Sequence, residues 1–326
     1  MSAPPEPNSL DAFVGPAAGV ATSFLWVLTS MCFTSAGKRI GSTMVNTLRL
    51  IVAVLIHAVT FRLVAGTWWP EATGAQIAYL AASGIVGLTI CDQALFTAFV
   101  DIGPRRALLV MTTTPIFAVA FGWIFVGEAI GWGAMLGIAV TVGGVAWVVS
   151  ERTHIKTDDE PHPHVKRGYL LAVLAAATQA GGLLLSKLGM GHGVVAEDQL
   201  IDPQPATYVR MIFGLLGMLP IILIYASGRN RPHHYAARAR RIGSRPVGYA
   251  LTVMGAVVGP YLGVWMSLVA ADRTPLGVAM TLCSLAPVMI LPFAVLVYRE
   301  RVTLRAAVGA AIAVAGSVFL FLHAGG

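Results

Sequence analysis

Residues 115–144 read PIFAVAFGWIFVGEAIGWGAMLGIAVTVGG, and residues 287–316 read PVMILPFAVLVYRERVTLRAAVGAAIAVAG. Pro115 and Glu128 are 13 positions apart, as are Pro287 and Glu300. Glu128 and Gly137 are 9 apart, as are Glu300 and Gly309; Gly137 and Gly144 are 7 apart, as are Gly309 and Gly316. Three intervals kept without a gap between two almost wholly apolar segments indicate an internal duplication. The match continues upstream. Asp101-x-x-Pro104 answers to Asp272-x-x-Pro275, Gly84 and Gly255 each precede those aspartates by 17, and Arg49 in TLRL answers to Arg210 in YVRM.

The 326 residues are 56% hydrophobic and 11% charged, with a mean hydropathy of +0.76. A soluble domain carries about 25% charged residues, so this chain has too little charge to face water. Apolar runs of roughly 20 residues are the signature of membrane-crossing helices. Ten such spans are predicted, at 14–34, 43–65, 74–100, 104–127, 130–150, 168–188, 205–227, 247–271, 275–298 and 302–323. The longest, 74–100 and 247–271, are expected to tilt. Residues 1–13 are expected to be loose and 151–167 to link two halves, 14–150 and 168–323. MSAPPEPNSL has no basic n-region, so no cleaved leader is expected. Cys32, Cys91 and Cys283 lie in separate apolar runs, which suits small apolar filler rather than a disulfide or metal framework.

If successive loops alternate sides, seventeen Lys and Arg fall on one side and only Arg62, Lys187 and Arg273 on the other. That bias puts the basic side, including the linker and the Arg-rich loop 228–246, in the cytoplasm and both termini outside. It also explains the net charge of +7 without nucleic acid. Five spans per half is an odd number, so the second half must enter the membrane inverted. The loops agree. The first loop carries Lys38 and Arg39, whereas its counterpart GMGHGVVAEDQLIDP is acidic; the second carries Arg62 and Glu71, whereas its counterpart carries six Arg. The expected fold class is therefore an all-α integral membrane protein of ten helices in two inverted five-helix repeats, an arrangement typical of secondary transporters.

Two five-helix halves, an Arg early in the second helix of each, and a fourth-helix Pro followed by a Gly-Glu or Arg-Glu turn resemble the drug/metabolite transporter superfamily, with two EamA-type repeats over roughly 15–323. The resemblance implies a basket of ten helices in an inner membrane, moving a small polar solute, often outward, through a central cavity. Asp92 departs from internal symmetry, having Gly263 at the equivalent place.

Several residues are candidates for that cavity. Pro115 and Pro287 fall near mid-span, where each frees the carbonyl four residues back, of Met111 and Cys283. Thr112, Thr113, Thr114 and Ser284 beside these breaks either line the cavity or bond back into their own helices. Asp92, with Gln93 beside it, is an acid about 12 Å from the cytoplasmic end of its span at 1.5 Å per residue. It is read as a proton carrier, a ligand for a substrate amine, or an ion-pair partner of Arg49 or Lys38. Arg49 and Arg210 snorkel to the headgroups or pair between helices, or else gate an anionic solute at opposite mouths. Gln179, Trp26, Tyr208, Tyr261 and Trp265 complete the polar and aromatic set within spans, whereas Trp68, Trp69 and Tyr169 are expected in the interface belt.

Other features read as structural. Glu128 and Glu300 are expected to open the helices that follow them, and Thr303 to cap the last one. Gly133-x-x-x-Gly137 and Ala311-x-x-x-Ala315 are expected to be close-packing faces. DDEPHPH at 158–164 has no metal-ligand spacing and reads as a solvated linker, so neither metal nor cofactor is expected. The sequence contains no HExxH, no GxSxG and no intramembrane acidic cluster, which weighs against an enzyme acting on lipid-linked substrates. A channel is the remaining alternative to a carrier. The favoured expectation is a carrier that exports a small polar or amphipathic metabolite such as an amino acid; coupling to protons is one of the roles open to Asp92.

Overall fold

The computed structural model describes residues 11–102, 104–150, 164–226, 244–296 and 303–323, and every long regular element among them is helical. The runs are α1 (Asp11–Ile40), α2 (Ser42–Ala65), α3 (74–102), α4 (104–126), α5 (Trp132–Val149), α6 (Val165–Met190), α7 (Pro203–Ala226), α8 (Arg245–Arg273), α9 (276–296) and α10 (Leu304–His323). Among the described residues, eight helical runs are long and apolar enough to cross a membrane. The last two contribute the shorter apolar stretches Leu276–Pro292 and Leu304–Leu320. Helix begins at Asp11 and again at Val165, earlier than the loose terminus and the linker expected from sequence; linker residues 151–163, Glu300 and most of the Arg-rich loop lie outside the described residues.

The ends are set by local chemistry. Thr73 and Gln76 form a reciprocal capping box at the start of α3. Gly66, Gly127 and Gly191 turn the chain out of helices in left-handed conformation, which costs glycine no Cβ clash. Thr303 Oγ1 accepts from Ala306 N–H at 3.2 Å, the expected cap of α10.

Two of the longest helices are not uniform. α3 passes through a π-helical turn at Ile85–Ile90 and α8 through one at Val257–Gly263, at matching places in the two halves. Pro260 sits inside the second and lacks the N–H that a regular α turn would use.

The two fourth-span prolines do not kink continuous helices. α4 breaks at 112–113 and restarts at Thr114 with Pro115 in its first turn, where a missing N–H is harmless. α9 breaks at 284–285 and restarts at Ala286, followed by Pro287. The carbonyl of Met111, expected to be free, accepts from Thr114 Oγ1 at 2.7 Å. At the second break Ser23 of α1 acts as a clamp. Its hydroxyl donates to Leu282 O at 2.7 Å and accepts from Leu285 N–H at 3.0 Å.

Packing relates the halves. α1 runs along α8 and α3 along α6; α1 also meets α9 and α6 meets α4. Exchanging each helix with its counterpart five places on leaves this contact pattern unchanged. The counterpart helices also meet each other, α2 with α7 and α5 with α10, and both pairs are antiparallel. In the first, Asn46 reaches Met218 and Gln204 reaches the His57 carbonyl. In the second, Gly137 lies against Leu320 and Gly144 against Ala313; reciprocally, Gly309 lies against Val148 and Gly316 against Thr141. These are the same two contacts with the roles of the helices swapped.

Glycine is required along that seam. A Cβ on Gly144 would come within 2.4 Å of the Ala313 nitrogen, and one on Gly316 within 2.6 Å of the Thr141 nitrogen. The expected Ala311/Ala315 face is corrected. Both residues are exposed, and the packed face is Gly309, Ala313, Gly316 and Leu320, all buried. Positions spaced by four, three and four share one side of a helix, and residue 311 lies across from them.

Candidate functional site

Two groups of candidate residues are brought together. The first joins α2, α3 and α7. Arg49 Nη2 donates to Asp92 Oδ2 in an ion pair, with the Arg49 and Asp92 side chains 18% and 23% exposed. The Arg49 guanidinium also lies 5.8 Å from the centroid of the Phe33 ring on α1. Arg210 is within electrostatic reach of the same carboxylate. The Asp92 carboxylate is only partly exposed.

The inter-helix pairing expected of these arginines is found for Arg49, which meets Asp92. Arg210 is only 6% exposed, and its Nε–H has no acceptor. Its terminal nitrogen packs against Gly87, in the π turn of α3, and Gly182 of α6. A Cβ on Gly87 would come within 2.6 Å of that nitrogen, and a Cβ on Gly84 within 2.2 Å of the Arg210 carbonyl. Glycines therefore let α7 press onto α3 and lead the guanidinium into the interior. The pair predicted for Asp92 is found with Arg49; the Lys38 side chain lies outside the described residues.

The second group surrounds the π turn of α8. The Tyr261 and Trp265 rings are 6.0 Å apart, and the Tyr261 hydroxyl is 3.0 Å from Thr60 Oγ1 on α2. Trp26 of α1 touches Gly263, where a Cβ would lie 3.1 Å from its ring. His57 of α2, which the sequence reading passed over, completes this group. Its ring is fully buried, 4.6 Å from that of Tyr261. The available signal was an ionisable residue well inside an apolar span. Tyr208 packs instead with Phe61 and Trp69 toward one end of α2.

The remaining candidates are not gathered with these. Thr112, Thr113 and Ser284 donate to Leu109 O, Val110 O and Met280 O, each at 2.7–2.8 Å, so their hydroxyls serve their own helices. Gln93 and Gln179 are partly exposed, on α3 and α6. Two cavities, of about 270 and 220 Å³, lie elsewhere. One is bounded by Trp123, Glu128 and Trp132, the other by Gly137 and Phe319 on the α5–α10 seam. Among the described residues no group of three or more His, Cys, Asp or Glu is placed to hold a metal ion.

The ends of the bundle carry ion pairs between the halves. Glu128 does not serve the helix that follows it. Its Oε2 accepts from Leu276 N–H at 2.6 Å, capping α9, and its Oε1 lies 2.6 Å from Lys187 Nζ, which donates to Thr274 O at 2.8 Å. The repeated aspartates also find roles. Arg167 at the start of α6 holds Asp101 with two hydrogen bonds of 2.7 Å, and His192 just beyond the end of α6 meets Asp272 at 2.8 Å. Trp68, Trp69 and Tyr169 are exposed, as an interface belt requires.

The sequence model described as the EamA-like transporter family matches residues 14–150 and 166–322, once over each half. The chain belongs to the EamA-like transporter family. Its apolar helices make this family member a multi-pass membrane protein. No curated protein matches it. Among solved structures 29 chains do. One, a crystal structure at 18% identity, covers 95% of this chain and 96% of its own with a TM-score of 0.72, a likeness of fold alone.

Proposed function

We propose that this EamA-family protein is a secondary transporter that exports a small polar or amphipathic metabolite, such as an amino acid. On this reading it crosses the inner membrane ten times, as two inverted five-helix repeats, with its basic loops in the cytoplasm. Two observations support the inversion: counterpart helices pair antiparallel, and the α5–α10 contacts recur with the roles exchanged. An axis lying in the membrane plane relates helices in that way, and alternating access is the movement such a pair of repeats supports.

The observation that carries the reading is the Arg49–Asp92–Arg210 group. A carboxylate at the centre of a membrane helix costs about 2.5–3.5 kcal/mol even on the lenient insertion scale. Packing alone gives no reason to place three charges there. A route for a polar solute does, and Trp26, Tyr261, Trp265 and His57 around the α8 π turn supply an apolar wall for the rest of such a molecule. Gln93 and Gln179 serve as further polar contacts as the repeats rock.

The test is efflux from proteoliposomes preloaded with radiolabelled amino acids. Saturable efflux, accelerated by the same unlabelled solute outside, is expected. Conduction at channel rates in planar bilayers, or no saturable flux of any solute from correctly folded protein, would end this reading.

A further inference from the structure

We infer that Arg210 is the anchor for a carboxylate on the transported solute; the inference rests on the transporter reading above. It starts from charge balance. The interior group holds two guanidiniums and one carboxylate, and the carboxylate is committed to Arg49. In the second half the position equivalent to Asp92 is Gly263, so the duplication left Arg210 without an acid of its own. Among the described residues no hydrogen bond or ion pair to its guanidinium is found, and its Nε–H is buried without an acceptor. A guanidinium stays charged at any physiological pH. Unlike a lysine, it cannot relieve its burial by releasing a proton.

Geometry makes this side chain a prepared donor rather than a stray cation. Gly84 brings the α3 backbone against the Arg210 backbone, and Gly87 and Gly182 leave room only for the flat guanidinium. The fork is held between two helices of different halves, α3 and α6. A planar anion with two oxygens matches it with two parallel hydrogen bonds, and charge-assisted pairs of that kind are the strong ones. A monocarboxylate also brings the interior group to neutrality. A bare amine would add a second unbalanced positive charge beside two guanidiniums. The solute class is therefore an organic carboxylate, an amino acid included, and not a cationic amine.

The experiment uses the full chain in proteoliposomes and three probes of matched shape: leucine, 4-methylpentanoate and isoamylamine. Binding is read from intrinsic tryptophan fluorescence, and flux is measured in parallel. Leucine and 4-methylpentanoate should bind saturably to the wild type, and isoamylamine should not. Arg210→Lys keeps the charge and loses the fork, and should weaken both carboxylates by about tenfold or more. Arg62→Gln, on the exposed end of α2, should leave binding as it is. If Arg210→Lys fails to fold, the wild-type probe series still decides. Isoamylamine binding as tightly as the carboxylates, carboxylates failing to bind, or an unchanged affinity in Arg210→Lys would overturn the anchor. Saturable flux with no dependence on a carboxylate removes the anchor and leaves the transporter reading. Carboxylate-selective binding with no flux does the reverse.

Discussion

Lys187→Met tests whether the pair at the end of α6 holds the two halves together. In the wild type Lys187 and Glu128 are 8% and 11% exposed, and their charged atoms are 2.6 Å apart. Glu128 has one further partner, the Leu276 N–H at 2.6 Å, and Lys187 has the Thr274 carbonyl at 2.8 Å. Removing the ammonium leaves a buried carboxylate with a single backbone donor. Breaking a buried pair from one side costs about 3–5 kcal/mol, because the remaining charge is uncompensated. Adding Glu128→Gln removes that charge and keeps an acceptor for Leu276 N–H. The double variant should therefore stand within about 2 kcal/mol of wild type, since neutral replacement of a buried pair is often nearly neutral. Unfolding of the micellar protein by titrated sodium dodecyl sulfate, applied to all four members of the cycle, measures both numbers. A single variant within about 1 kcal/mol of wild type, or a double variant that adds the two single losses, would refute the reasoning.

Three further outcomes are expected. Gly144→Ala drives a methyl group into the backbone of Ala313 at 2.4 Å and should destabilise by about 1–3 kcal/mol, whereas Gly143→Ala, with nothing within 4 Å, should be neutral or slightly stabilising in the same titration. Ser23→Ala strips the α9 break of its donor and its acceptor at once and should cost about 1–3 kcal/mol, with faster hydrogen exchange at the Leu285 amide as the specific sign. If Asp92 carries the coupling proton, Asp92→Asn in proteoliposomes should retain exchange of labelled solute and lose accumulation driven by a pH gradient; full gradient-driven transport in that variant would remove the proposed coupling.

The spans and the duplication were legible because they rest on patterns the bilayer itself imposes. Apolar length decides what can cross, and the seven-residue spacing of Gly137 and Gly144 recurs unaltered at Gly309 and Gly316. The Arg49–Asp92 pair was legible for a related reason: an acid and a base at nearby depths on adjoining helices have few other partners. What was hidden depends on how helices rotate against each other. Nothing in the local sequence says that Glu128 reaches across to Leu276 instead of its own helix. Nor does it say that Ser23 bridges a break 262 positions away. The π turns were equally invisible. Each adds part of a residue to a turn and so redirects the side chains beyond it, which is how Arg210 comes to lie against Gly87 and Tyr261 against His57. His57 itself was overlooked because an apolar run containing one histidine still scores as a span.

The α5–α10 seam has a consequence beyond packing. A surface whose contacts survive exchange of its two members is self-complementary, so it needs no covalent tether to find its mate. On the inverted-repeat reading proposed above, two polypeptides severed between residues 150 and 164 should assemble in one bilayer when produced together, each threading in opposite sense to the other. A gene of half this length, inserting without orientational preference, would yield the same assembly from a single product.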